Sequence, residues 1–376
     1  MKRAVVLAVI VLAGMFGGRA LAYPQFQLSR DQTCTSCHLS PEGGDLLSEN
    51  GGVFVQNMAT FGQAPEFFYN KVPLPSWLTV GGDFRGALGY VRAPQQYLVG
   101  FPMQLDLYVA AKLPAHLRFH LTGGYRPPET GNEAATYFWS REHYLMWSQQ
   151  EDGTEGLFVR VGRFMPIFGL RYAEHPTYTR RYGGTALYTE TYGLAVEYIN
   201  PQYEVHATGF IKDPLIDPVA HDSGGALYAE YRVVPHAQVG AEAMYTKSDD
   251  DWKLRGGVTA KYYLSGPDLL FMFEGQVVNQ HIESFGLTQL VGELTATKLL
   301  PGGMWLDIGL GHFDENIRIK GLDRDSLDVN FHWLTTSHLE LFLTTRVELI
   351  NQGRTLQTDL GGPTGAFALA QAHYRL

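Results

Sequence analysis

The sequence predicts an all-β fold: a transmembrane antiparallel β-barrel of about sixteen strands behind a short N-terminal segment of different character. Three observations predict it. From Leu78 onward, apolar and polar residues alternate over stretches of about ten positions. The connections between those stretches are alternately abrupt and long. Their number is even, which returns the chain to the end of the barrel where it began.

Composition fits that class and excludes others. The 376 residues are 45% hydrophobic and 18% charged, so collagen-like, coiled-coil and wholly disordered chains drop out. The chain has 42 glycines, 21 tyrosines and 21 phenylalanines but only two cysteines, too few for a disulfide framework. At its start, Lys2 and Arg3 precede an apolar run closed by Ala20-Leu21-Ala22, which predicts a signal peptide over residues 1–22. The alternative, a membrane anchor, is disfavoured because Gly14, Gly17, Gly18 and Arg19 leave the run short of the roughly 20 residues a spanning helix needs. Cleavage removes three basic and no acidic residues, shifting the formal charge from −9 to −12. No nucleic-acid partner is expected of so acidic a chain.

Residues 23–76 form the expected leader, and both cysteines lie in it as Cys34-Thr35-Ser36-Cys37-His38. Two thiols at this spacing with an adjacent imidazole match the attachment pattern of one covalent haem c: Cys34 and Cys37 take the porphyrin and His38 takes the iron. A disulfide, a redox dithiol or half of a zinc ribbon would use the same pair. The chain holds no second CxxC, and no βαβ pattern surrounds this one. Met58, the lone methionine of the leader, is the candidate sixth ligand; otherwise it is a gap-filling core residue.

Residues 77–376 carry the strands, which begin near 77, 102, 115, 135, 156, 184, 202, 225, 236, 251, 268, 287, 303, 325, 338 and 364. Leu117, Phe119 and Leu121 interleave with His116, Arg118 and His120; Tyr203 and Val205 interleave with Glu204 and His206. Trp252, Leu254, Val258, Ala260, Tyr262 and Leu264 oppose Lys253, Arg255, Thr259 and Lys261; Leu339, Leu341, Leu343 and Val347 oppose Glu340, Thr344, Arg346 and Glu348. A soluble sandwich shows the same local alternation, with its charged parity in bulk water. The connections favour the barrel. Abrupt Pro and Gly turns at Pro114, Pro201, Pro235, Gly266 and Gly302 define one end, expected to be periplasmic. Long segments at 126–134, 166–183, 212–224, 313–325 and 351–364, with Asp217 and Asp359 among them, define the other, expected to face outward.

The charged parity is expected to line a lumen: Asp83, Arg85, Asp106, Lys112, Arg118, Glu204, Lys212, Glu230, Arg232, Glu242, Lys253, Arg255, Glu274, Asp307, Asp328, Arg346 and Glu348. Such residues either set up a field along a pore or neutralise one another. Glu142-His143, His206 and His312 form no recognisable metal run, and no G-x-S-x-G, P-loop or H-E-x-x-H pattern occurs.

The run from Tyr23-Pro24-Gln25-Phe26 through the CxxCH to Gly51-Gly52 resembles the haem-binding leader of a group of bacterial outer-membrane proteins in which one CxxCH precedes a porin-like barrel. Arg160-Val161-Gly162-Arg163-Phe164 through Arg171 is similar to a strand and loop of phosphate-selective and related porins. The last strand resembles a closing barrel strand, ending in Leu376 where that pattern usually ends in Phe. The resemblance implies an outer-membrane protein of a Gram-negative bacterium with its haem segment periplasmic. Its partners would be membrane lipid, small solutes or ions and a multihaem cytochrome. Electron transfer at or across the membrane is the leading expectation, with no enzymatic role; a haem peroxidase fits poorly. The alternative is a passive solute-selective porin whose leader is a plug, sensor or assembly element.

Overall fold

The computed structural model describes residues 23–62, 67–93, 95–125, 138–151, 153–174, 176–186, 189–215, 222–283, 285–351 and 364–376. Residues 1–22, expected to be a signal peptide, Asp217, Asp359 and the segment 126–134 lie outside the described residues. Among those described, sixteen antiparallel strands close into a barrel in sequence order. They are β1 (Leu78–Ala93), β2 (Gln95–Leu113), β3 (Leu117–Tyr125), β4 (Phe138–Ser148), β5 (Gly156–Phe164), β6 (Thr191–Ile199), β7 (Tyr203–Ile211) and β8 (Ser223–Val234). Then follow β9 (Ala237–Lys247), β10 (Asp251–Leu264), β11 (Leu269–Ile282), β12 (Phe285–Leu300), β13 (Met304–Asp314), β14 (Asp323–Thr336), β15 (Leu339–Ile350) and β16 (Thr364–Arg375).

Closure is made by β1 on β16, in register from Asp83 opposite Arg375 to Arg92 opposite Ala366. A closed sheet leaves no row of unpaired backbone groups, the condition for strands in a hydrocarbon layer. Side chains invert the usual inside-out order. On β10, Trp252, Leu254, Val258 and Tyr262 are exposed, whereas Arg255, Thr259 and Lys261 are buried. On β15, Leu341, Leu343 and Val347 face out while Glu340, Thr344, Arg346 and Glu348 are enclosed. A soluble sandwich would place those parities the other way round.

Two sequence-derived boundaries are corrected. Strand β2 starts at Gln95 rather than near 102, because Val91, Val99, Phe101 and Met103 make an apolar cluster on the inner face as well. Alternation fades where both faces are apolar. Pro102 is accommodated by a register shift opposite Arg85 and Gly86, where a missing ladder donor is tolerated. Strand β6 starts at Thr191 rather than near 184, because the chain after β5 turns inward. Residues 166–183, expected outside, are corrected too: Ile167, Phe168, Leu170, Tyr172 and Tyr178 are buried. These apolar side chains would be unfavourable in an outer aqueous loop.

Candidate functional site

The leader is built from three short helices, α1 (Gln25–Ser29), α2 (Cys34–Cys37) and α3 (Glu49–Met58). Thr33 and Ser36 cap α2 reciprocally, each backbone N–H 3.2 Å from the other's hydroxyl. Ser48 caps α3 by accepting from the Gly51 N–H at 3.1 Å, with Glu49 in the first turn where an acid suits the helix dipole. Gly43 and Gly44, at φ of 77° and 73°, provide the left-handed turn that returns Leu47 to pair with His38. Thus the four residues singled out from sequence come together: Cys34, Cys37, His38 and Met58 line one cavity of about 110 Å³, with Tyr23, Phe26 and Trp305. Met58 also packs against the cluster of Ala59, Leu299, Trp305 and Leu334.

The leader sits in the tight-turn mouth of the barrel and is tied to the wall on all sides. Tyr23 Oη donates to Glu340 Oε1 at 2.7 Å. Burial first, then the Glu340 charge, holds this phenol well above its ordinary range, so it remains a donor. Lys261 Nζ donates to Gln27 Oε1 at 2.6 Å, and Tyr144 Oη to Ser40 Oγ at 3.1 Å. Arg160 meets Glu42 at 3.2 Å and Glu197 at 2.7 Å. Thr35 donates to the Thr154 carbonyl in the β4–β5 turn, and Arg232 pairs with Asp31. Backbone bonds from Thr60 and Phe61 to Leu334 and Thr335 anchor the far end of the leader on β14.

Behind the leader, the inward segment after β5 crosses the lumen. Leu170 N–H donates to Glu274 at 2.8 Å, Tyr178 Oη donates to Glu348, and Arg346 donates to the Pro176 carbonyl. Its short helix α4 (Tyr178–Gly183) packs on β11, β12 and β13. The two inner segments touch: Leu28 of the leader clusters with Leu170 and Tyr172, and Arg171 reaches the Pro41 carbonyl at 3.4 Å.

Most lumen residues expected from sequence are enclosed, but Lys112 and Lys212 are exposed and stand outside that set. Several of the enclosed residues neutralise one another. Arg346 pairs with Asp328 at 3.0 Å and Lys261 with Glu230 at 2.8 Å. The arginines of the 160–171 run are likewise in ion pairs: besides Arg160, Arg163 pairs with Asp213 at 2.8 Å and Arg171 with Glu204 at 2.7 Å. Sequence reading missed Glu42, Arg141, Glu190 and Glu197; Glu340 it placed on the charged parity of β15, where the structure has it buried. Parity flags those on strands, but no local pattern tells which distant carboxylate an arginine meets. Of the histidines, His206 lies 3.6 Å from Glu197 and 3.7 Å from Glu204 inside, while His312 pairs with Asp325 on the exposed rim.

His38 is expected to make the packing of the leader sensitive to pH. Its Nδ1 is 2.6 Å from the Gly44 carbonyl. Burial pushes its imidazole down to about 4, outweighing the raising effect of that hydrogen bond. An unseated leader returns it to about 6.5, so the unseated state binds more protons between these values. The seated state keeps this contribution above pH about 6.5 and loses it as pH falls towards 4, by about 3 kcal/mol at most. Limited proteolysis of the leader at pH 7 and pH 4.5 is expected to be faster at the lower pH, and His38→Gln to flatten the difference. An unchanged profile in His38→Gln would assign the effect to carboxylates.

No protein-family model matches the chain, and a search of curated proteins finds no match. Solved structures match its fold. OmpT of Vibrio cholerae, an outer-membrane protein, aligns with a TM-score of 0.62 at 10% identity, over 81% of this chain and 100% of that one. OprB of Pseudomonas putida aligns at 0.59 and 11% identity, over 80% and 94%. The outer membrane channel DcaP of Acinetobacter baumannii aligns at 0.53 and 11% identity, over 80% and 97%. At such identities the likeness is one of fold: a sixteen-stranded antiparallel barrel of the outer-membrane kind. It overturns the electron-transfer reading. Of these structures, DcaP is described as an outer membrane channel and OmpT as outer-membrane expressed. The expected covalent haem c and the haem-leader resemblance are withdrawn with it. Cys34, Cys37, His38 and Met58 stand as the lining of the leader's cavity.

Proposed function

We propose that the protein is an outer-membrane channel for small solutes or ions, a transport protein rather than an enzyme, whose N-terminal leader plugs the periplasmic mouth. The observation that carries this reading is the leader's seat: residues 23–62 occupy the tight-turn end of a polar lumen and bond to both wall and inward segment. Charged pairs between plug and wall make the seat specific, beside the apolar contacts of Met58 and Leu28. The apolar outer face supplies the lipid contact. Cys34, Cys37, His38 and Met58 shape the plug's interior.

Planar-bilayer recordings of the full mature chain test it. Low conductance is expected with the leader seated, rising when pH is lowered enough to protonate His38. Liposome swelling with uncharged solutes of increasing size should then give a size cut-off. No conductance under any condition, with the barrel folded, would remove the channel reading. A large open-state conductance at neutral pH would remove the plug.

A further inference from the structure

Where the inward segment meets the wall, three ligating side chains from three segments face one another. Glu174 belongs to the inward segment, Asp307 to β13 and His332 to β14. Nε2 of His332 lies 3.6 Å from Glu174 Oε1 and 3.5 Å from Asp307 Oδ2. All three ligand atoms fall within 4.8 Å of one another.

The imidazole is held rigidly. His332 is 1% exposed and stacks between Trp305, at 4.6 Å and 9°, and Phe342, at 5.0 Å and 5°. Its Nδ1 is 2.9 Å from Glu340 Oε1, and Glu340 also accepts from Tyr23 and Arg375. A carboxylate so supplied with donors stays ionised and fixes the hydrogen on Nδ1. Nε2 is then aimed at two further carboxylate oxygens, and it makes no hydrogen bond among the described residues. Asp307 receives Thr297 on its other oxygen at 2.5 Å. Neither Glu174 nor Asp307 forms a salt bridge to lysine or arginine among the described residues.

Something positive belongs between these atoms. A proton on Nε2 would draw a carboxylate in to about 2.7–2.9 Å, and both oxygens stand well beyond that. A tetrahedral zinc ion bonded at about 2.0–2.2 Å sets its ligand atoms about 3.4 Å apart, close to the two separations found. We propose that Glu174, Asp307 and His332 form a site for a divalent cation of the zinc type, with Glu340 as the carboxylate that orients the imidazole. The ion would strap the inward segment to the β13–β14 wall. The site is independent of whether the lumen passes solute.

The test uses the full mature chain in detergent, stripped with a chelator and titrated with Zn²⁺ and, separately, Co²⁺ as a spectroscopic probe. One ion per chain is expected at this site, with a Co²⁺ spectrum of nitrogen and oxygen ligation. Asp307→Asn, nearly isosteric, is expected to weaken binding at least about tenfold, and Glu340→Gln by about tenfold. Heat-modifiable gel migration verifies that each variant keeps its barrel. Equal affinity in Asp307→Asn would overturn the proposal, as would a thiolate charge-transfer band placing the ion on Cys34 and Cys37.

Discussion

Replacing Arg160 by alanine is expected to release the leader and lower stability by about 3–5 kcal/mol, the usual cost of removing one partner from a buried ion pair. Arg160 is fully buried on β5. It holds Glu197 of β6 at 2.7 Å and Glu42 of the leader at 3.2 Å, and its guanidinium lies 4.4 Å from the centroid of Phe164. Truncation strands two carboxylates. Glu197 retains His206 at 3.6 Å, so most of the unbalanced charge falls on Glu42, and the leader can relieve it by leaving the lumen. The same substitution is therefore expected to raise single-channel conductance. Glu42→Gln removes the charge and keeps a hydrogen-bonding group, so its effect on the denaturant midpoint should be smaller in the same direction. Arg160→Lys keeps the charge but not the fork that reaches two carboxylates, and should fall between. If Arg160→Ala leaves both midpoint and conductance unaltered, Arg160 does not hold the plug.

The comparison of Arg160 with Glu42 also marks what a sequence can disclose. Strand number, lipid-facing parity and the tight turns were legible because each is a local pattern of period two ended by Pro or Gly. The convergence of Cys34, Cys37, His38 and Met58 was legible in part, since three of them share one helical turn and its cap. The inward course of residues 166–183 was not. Its polar and apolar residues follow no period, and its preference for the lumen depends on partners such as Glu274 and Glu348, more than one hundred residues away along the chain. The CxxCH motif failed as a guide to function because a motif names a local chemistry, whereas what a barrel passes is set by its lumen. The His332 cluster was invisible for the same reason: its members meet only after β13, β14 and the inward segment are assembled.

Gly51 is where the leader's own packing is most sharply testable. As a helix position it should gain about 1 kcal/mol from alanine. Yet a Cβ there would lie 2.0 Å from the Cys37 carbonyl oxygen and 2.8 Å from its carbon, both backbone atoms that cannot rotate aside. Helix α3 must back away from α2. That motion breaks the Ser48 N–H bond to the Cys37 carbonyl at 2.9 Å and the Ser48 hydroxyl bond to the Ser36 carbonyl at 2.6 Å. At about 0.5–1.5 kcal/mol each, with buried carbonyls left unsatisfied, the loss exceeds the helical gain. Gly51→Ala is thus expected to destabilise the leader while the barrel stays folded. The Cys37 thiol reports it: burial, and then neighbouring Cys34, push it up to about 11. Opening the contact should return it towards about 8.5 and speed alkylation at pH 8 on the order of 100-fold, followed by intact mass. Val53→Ala, on the exposed face of the same helix, should leave the rate unchanged. Equal alkylation rates in Gly51→Ala and the unaltered chain would mean that α2 and α3 are not packed as described.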